Sequence, residues 1–422
     1  LNLVRRLADR FRIVFIGHQG LGPEQTRDAE VFLRDHGIEP VVVECSVAVN
    51  GGPLFYGRLA ANLLSPLPYS VQRHSTAQMQ TAVRRMEIES RINLWQVEWT
   101  PYAQSLRGRV HSPWVVMAHN IESQIWRRYY ETETNPLKKW YIGRQFRKYL
   151  DFERVIFNEA GEVIVVSEPD ARLAHELYGR SEVEVVSNGV DIDHYLPGTT
   201  PRDSKAILYV GALFWRPNLD AVQVLLREVL PRVLAEEPDA RLQVVGRDPP
   251  PWLAAEVARA SNATLYPSVP DVRPFLQGCG LLAVPLRIGG GSRLKILEAL
   301  ACRCPVVSTS VGSEGLDLVD GRDYIRADDP AEMAAAIVRC IRDPRLANEL
   351  ARSGRDRILE SYSWDPLAQR LGEIWETRLR TAARPGAPPR RPCGLSSGQI
   401  AEDRGWPAGS SSEEEIDSRG LA

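Results

Sequence analysis

Cysteines in disulfide or zinc-ligand spacing are missing from this chain. Its six cysteines, Cys45, Cys279, Cys302, Cys304, Cys340 and Cys393, form no C-x2-C pair, and none sits beside a histidine at zinc spacing. This argues against a disulfide framework and against a structural metal. Long apolar runs are lacking too. No stretch approaches the roughly 18 residues of a membrane span, and no charged, apolar and small-residue pattern opens the chain as a signal would. These absences point to a reducing compartment and a cytoplasmic protein. A dominant charge is also absent: Lys+Arg 52 against Asp+Glu 54 gives a net charge of −2, which argues against a general nucleic-acid binder. Lysine is scarce, with five positions (Lys138, Lys139, Lys148, Lys205, Lys295) among the 52 basic residues, a coding bias towards arginine. The chain starts at Leu1, without methionine, inside an amphipathic pattern of Leu3, Val4, Leu7 and Ala8, so a segment upstream is expected.

What is present reads as globular protein. With 422 residues, 44% hydrophobic and 25% charged, the chain exceeds the roughly 250–300 residues at which single cores stop growing, so two domains are expected. Strand and helix patterns alternate, which implies α/β architecture with parallel sheets. In the first part, strands are expected at 12–16, 40–44, 93–98, 114–118, 162–166 and 182–186, with helices at 23–34, 76–85 and 136–157 and an irregular, Pro- and Gly-marked stretch at 50–70. The rhythm breaks at the turn-rich residues 187–204, placing a boundary between an amino-terminal domain, 1–196, and a carboxy-terminal domain, 197–382. A second α/β run follows, with strands at 206–210, 241–245, 264–266, 281–284 and 305–308 and a helix at 218–234. From 383 to 422, Pro, Gly, Ser and Glu dominate, and a disordered tail is expected.

The most informative stretch lies between Pro285 and Ala301. An apolar strand delivers Gly289, Gly290 and Gly291, which let backbone amides approach a ligand, and Ser292 is a suitable helix N-cap. Free amides at a helix start favour an anion, and Arg293 and Lys295 add positive charge. Glu298 is a carboxylate able to accept ribose hydroxyls. Taken alone, the same residues read equally well as a glycine-rich turn before a charged, solvated helix.

Together with Ser187-Asn188-Gly189-Val190-Asp191, Tyr209-Val210-Gly211 and Val245-Gly246-Arg247-Asp248-Pro249-Pro250, this stretch resembles the donor half of glycosyltransferase family 4. The family's members are retaining enzymes of the GT-B fold that use nucleotide sugars. His119-Asn120-Ile121-Glu122 fits the first half of the same family. The resemblance implies two Rossmann-like, doubly wound domains facing a cleft, the acceptor side first and the donor side second, with the last helix packing back on the first domain. Such a first half opens with a strand and a glycine-rich turn, whereas this chain opens with a helix. The first sheet is therefore expected to lack its initial strand and to show a gap or exposed edge beside the 12–16 strand.

The resemblance also implies roles. Glu298 matches the second glutamate of the family's Glu-x7-Glu motif, which holds the ribose. The first glutamate falls on Gly290, so backbone amides of Gly290 and Gly291 would replace its contact with the donor sugar. After Gly211 the family's arginine is replaced by Ala212, and the diphosphate passes to Arg216 and Arg293 jointly. Val269 and Asp271 fit the loop that holds the base. His119 would orient the donor sugar.

Three other features invite functional readings. The Gly17 to Gly22 turn has G-x2-G-x-G spacing, not a dinucleotide fingerprint, and reads as a surface turn. Asp191-Ile192-Asp193 imitates a metal-binding D-x-D but sits in the domain junction, and no metal is expected. Residues 136–150 carry Lys138, Lys139, Arg144, Arg147 and Lys148 among aromatics and no acid. Such a helix suits an anionic membrane surface holding a lipid-linked acceptor, and equally suits a helix with a buried aromatic side and a solvated basic side. The expected activity is retaining transfer of a sugar from a nucleoside diphosphate to a hydroxyl acceptor, with cell-surface polysaccharide or glycolipid as acceptor class. A non-catalytic nucleotide-sugar binder and a GT-B-type sugar-nucleotide epimerase are the alternatives.

Overall fold

The computed structural model describes residues 2–19, 22–44, 53–90, 92–288 and 293–382, all within one compact unit. The expected tail, 383–422, and the stretch holding Gly289, Gly290, Gly291 and Ser292 lie outside the described residues.

Among the described residues all strand pairs are parallel. β1 (Ile13–His18) and β2 (Ile38–Val43) form a two-stranded sheet, while β3 (Trp95–Val97), β4 (Trp114–Ala118), β5 (Glu162–Val165) and β6 (Glu184–Val185) form a separate four-stranded sheet. Among the described residues no ladder joins β1 to β3, so the first sheet is interrupted beside β1, as expected. The carboxy-terminal sheet has six strands: β7 (Asp203–Val210), β8 (Arg241–Gly246), β9 (Ala263–Pro267), β10 (Cys279–Val284), β11 (Val306–Ser308) and β12 (Ile325–Arg326), in the order β12-β11-β10-β7-β8-β9. The chain winds outward from β7 to β9, then crosses to β10 and winds the other way. The switch between β7 and β10 opens a crevice at their carboxyl ends, the general ligand position in such sheets.

Burial follows the parallel-sheet rule that strands covered on both faces read as apolar runs. Val115, Val116, Met117 and Ala118 of β4 are inaccessible, as are Leu282, Ala283 and Val284 of β10. The last helix, Trp364–Ala382, returns to the amino-terminal half, where Trp364, Leu371 and Trp375 pack with Leu3, Leu7, Val115 and Ile164. Arg6 pairs with Asp365 at 2.5 Å and Arg10 with Glu376 at 2.6 Å along the same seam.

Several elements depart from expectation. The expected 218–234 helix is three segments, Arg216–Val224, a π-helical turn at Leu225–Val229, and Leu230–Glu236. Pro231 supplies the reason, since it has no N–H and crowds the carbonyl four residues back. Helices also form at Pro53–Asn62, Glu122–Thr132 and Glu168–Tyr178. The last begins with Ser167 accepting from the Asp170 N–H, a start signal absent from the strand and turn reading.

Candidate nucleotide-sugar site

The crevice floor is built by two crossing turns. Gly211 follows β7 and donates to Val245 O at 3.0 Å, and Leu213 donates to Arg247 O at 2.8 Å. A Cβ on Gly246 would lie 1.9 Å from Gly211 O, so the crossing requires glycine there. A Cβ on Gly211 would meet the Asn218 side chain at 2.9 Å. Asn218 is buried and holds the turn, donating from Nδ2 to Ala212 O at 2.9 Å and accepting from Tyr209 OH at 2.8 Å.

Lys295 completes this cluster. Its Nζ donates to Asn218 Oδ1 at 2.9 Å and to Tyr209 OH at 3.2 Å, and stands 4.5 Å from the centre of the Tyr209 ring. Neutral dipoles and a ring face satisfy the ammonium. Among the described residues, no carboxylate lies within 4.0 Å of it. Burial, reinforced by Arg293, pushes its pKa down to about 7, with Glu298 opposing. Glu298 lies one helical turn beyond Lys295 and accepts from Tyr195 OH at 2.9 Å. Burial raises its carboxyl, while Tyr195 and Lys295 act the other way.

The helix carrying these residues runs Leu294–Ala301, and its N-cap is Arg293, with φ −88° and ψ 47° and no side-chain cap. This corrects the expectation of a Ser292 cap with Arg293 in the first turn. The reason lies in the side chain, because Arg293 is drawn inward to 5% exposure, where its Nη2 donates to Glu314 Oε2 at 3.2 Å. Arg128, on the Glu122–Thr132 helix of the other half, donates to both oxygens of the same carboxylate at 2.8 and 2.9 Å. Asn188 lines the same hollow, and its Nδ2 is buried with no hydrogen-bond partner among the described residues. Arg216 also reaches the amino-terminal half, 3.3 Å from Glu133 Oε2 and 5.8 Å from the centre of the Tyr129 ring. The two arginines expected to share a diphosphate thus each rest on a carboxylate in this structure. Val269 packs partly buried on the core in the loop after β9, and Asp271 is engaged by Arg273 at 2.7 Å. Asp191 Oδ1 accepts from the N–H groups of Asp193 and His194, which caps a turn.

On the amino-terminal side, His119 follows β4, and its Nε2 lies 3.2 Å from Oε2 of Glu98, which follows β3. Three residues on, Glu122 opens a helix, and its Oε1 accepts from Trp99 Nε1 at 2.8 Å. Burial pushes the Glu122 carboxyl up to about 7; the Trp99 hydrogen bond opposes this, and Glu153 adds to it. Glu153 is fully buried and accepts the N–H groups of Glu122 and Ser123 at 2.7 and 3.0 Å.

Sequence reasoning missed Asn218, Tyr195, Arg128, Glu314 and Glu98. Glu98 carried a usable signal, being a carboxylate just beyond one strand where His119 lies just beyond another. Arg128 and Glu314 carried none, since they meet 186 residues apart in sequence.

Residues 1–194 match the family pattern "Glycosyltransferase Family 4", and residues 204–343 match "Glycosyl transferases group 1". A glycogen synthase of Mycobacterium tuberculosis is 24% identical over 289 residues, 65% of this chain and 68% of that protein. The chain spans 55% of the length of a D-inositol 3-phosphate glycosyltransferase of Rhodococcus erythropolis and 72% of that of an alpha-maltose-1-phosphate synthase of Mycolicibacterium smegmatis. Sucrose-phosphate synthase from Thermosynechococcus elongatus superposes with TM-score 0.64 at 19% identity, covering 88% of this chain and 100% of that one. Anabaena Alr3699/HepE in complex with UDP and glucose gives TM-score 0.60 at 16% identity, covering 89% and 94%. The two matched patterns and the parallel sheets around a crevice make this chain a GT-B glycosyltransferase of the group 1, family 4 type.

Proposed function

We propose that this glycosyltransferase moves a sugar from a nucleoside diphosphate sugar to a hydroxyl acceptor with retention of configuration, residues 1–196 forming the acceptor side and 197–382 the donor side. The observation that carries this reading is Lys295, a desolvated cation under the Gly211 turn at the sheet's switch point, with no carboxylate within 4.0 Å among the described residues. A diphosphate would supply the missing charge. Glu298 would take ribose hydroxyls, and Val269 and Asp271 the base. Arg293 and Arg216 would exchange Glu314 and Glu133 for phosphate oxygens as charge grows on the leaving group.

In this mechanism the bond from the anomeric carbon to the diphosphate oxygen breaks first. That oxygen takes the proton of the acceptor hydroxyl, and the acceptor oxygen bonds to the carbon from the same face. No enzymic nucleophile and no metal is assigned a step, and His119 orients the sugar. The acceptor is proposed to be a cell-surface polysaccharide or glycolipid, reached from the cytoplasmic face of a membrane through residues 136–150. Leu137 and Trp140 are 79% and 57% exposed there, beside exposed Lys138 and Arg144. Lys148 takes no part, because it is buried and donates to Asn62 O at 2.6 Å. Among the described residues, no helix is long and apolar enough to cross a membrane.

Incubation with a panel of nucleotide sugars tests the reading. Slow donor hydrolysis, with the freed sugar first appearing in the donor's anomeric configuration, supports it. Isomerised donor would assign an epimerase, and binding without turnover a non-catalytic relative.

A further inference from the structure

His119 belongs to a hydrogen-bonded chain that begins on the last helix. Trp375 Nε1 donates to Gln96 Oε1 at 2.5 Å, Gln96 Nε2 donates to Glu98 Oε1, and Glu98 Oε2 faces His119 Nε2 at 3.2 Å. The chain has one direction. An indole nitrogen only donates, so the oxygen end of the Gln96 amide must face Trp375 and its NH2 end must face Glu98. A carboxylate only accepts, so in the neutral ring the His119 nitrogen facing Glu98 carries the proton and Nδ1 is left as an acceptor. Burial would raise the Glu98 carboxyl, but the hydrogen bonds from His119 and Gln96 hold it below its ordinary value and keep it ionised. Trp375 is anchored by an edge contact with Phe11 at 5.2 Å and by the core under the last helix.

We infer that Glu98 is a positioning residue that fixes the tautomer and orientation of His119, and that Trp375 sets the direction of this lock through Gln96. The inference rests on the proposed function for its catalytic meaning, since an Nδ1 acceptor suits a sugar hydroxyl donor. Its structural content stands independently.

The chain's direction gives a test. In Glu98→Gln, Gln96 still donates, so the new amide must turn its oxygen to Gln96 and its NH2 to His119 Nε2. That nitrogen must then accept, and the ring proton moves to Nδ1. Nitrogen-15 shifts of the His119 ring, read at a pH high enough to leave the ring neutral, should therefore show Nε2–H in the parent and Nδ1–H in Glu98→Gln. Adding Trp375→Phe to Glu98→Gln frees Gln96 to turn over, so the preference for Nδ1–H is lost and Nε2–H reappears beside it. Gln96→Met in the same background removes the donor that holds the new amide and should lift the constraint too, although it also takes the acceptor from Trp375 Nε1. Turnover of any donor the parent accepts should fall about 10-fold or more in Glu98→Gln, with binding of the free nucleoside diphosphate unchanged. An unaltered tautomer in Glu98→Gln, or an Nδ1–H preference that Trp375→Phe and Gln96→Met both leave intact, overturns the inference. A parent protein inert towards every donor would count against the proposed function instead, because the ring shifts are read without turnover.

Discussion

Arg293 donates to Glu314 at 3.2 Å, within the hollow where the two halves meet. The same carboxylate receives Arg128 from the opposite half. The cation proposed for the leaving diphosphate is therefore held by a carboxylate that also ties the halves together, and an incoming phosphate would compete with it.

Removing that competitor should favour the ligand. Glu314→Gln is expected to tighten binding of a nucleoside diphosphate by about 3- to 10-fold, since it deletes one negative charge close to the phosphates. Arg293→Ala should lower turnover by about 10²–10³ while raising the donor Michaelis constant by less, as befits a group whose grip strengthens as charge develops. Calorimetry and steady-state kinetics check both. Weaker binding in Glu314→Gln, or near-normal turnover in Arg293→Ala, would move the phosphate site elsewhere.

Glu298→Gln should weaken nucleotide affinity by about 1.5–3 kcal/mol through loss of charge-assisted hydrogen bonds to ribose. Tyr195→Phe should cost less, since it removes only the 2.9 Å bond that holds the carboxylate in place. Titration with the nucleoside diphosphate reads both effects, and unchanged affinity in Glu298→Gln would take that residue out of the site.

Lys295 is expected to link stability to ligand. Its ordinary value of 10.5 drops to about 7 in the fold, so the unfolded chain holds a proton that the folded chain releases. Stability on this account rises with pH between about 7 and 10.5, and the full penalty applies below 7. Lys295→Met should therefore raise the melting temperature of the free protein, more at pH 6 than at pH 9. It should also abolish the stabilisation that a nucleoside diphosphate gives the parent. A variant that melts lower at pH 6, or is still stabilised by the diphosphate, would contradict this role.

Glu122 has the opposite linkage. Its carboxyl moves from 4.5 up to about 7, so the folded chain holds a proton that the unfolded chain loses. Stability falls as pH rises through about 4.5 to 7 and stays reduced above. Glu122→Gln keeps a neutral acceptor for Trp99 without that cost, so its melting temperature should exceed the parent's at pH 8 and match it near pH 4. Parallel melting curves of the two proteins across this range would refute the assignment.

Local chemistry made much of this molecule legible in the sequence. Apolar runs such as Leu281 to Val284 announce strands buried on both faces, because only parallel sheets covered by helices bury every side chain. Gly211 and Gly246 mark turns that must pass within contact distance, and the order of motifs from His119 to Glu298 points to the family. The orientation of long side chains is settled only in the folded state. Arg293, Lys295 and Glu298 are neighbours on one stretch, yet one turns to Glu314, one to Asn218 and one to Tyr195. Each choice is set by residues 21 to 103 positions away, whose proximity no local pattern encodes. The tie between Trp375 and Gln96 is of the same kind, since it exists only because the last helix crosses back and a buried indole N–H must find an acceptor.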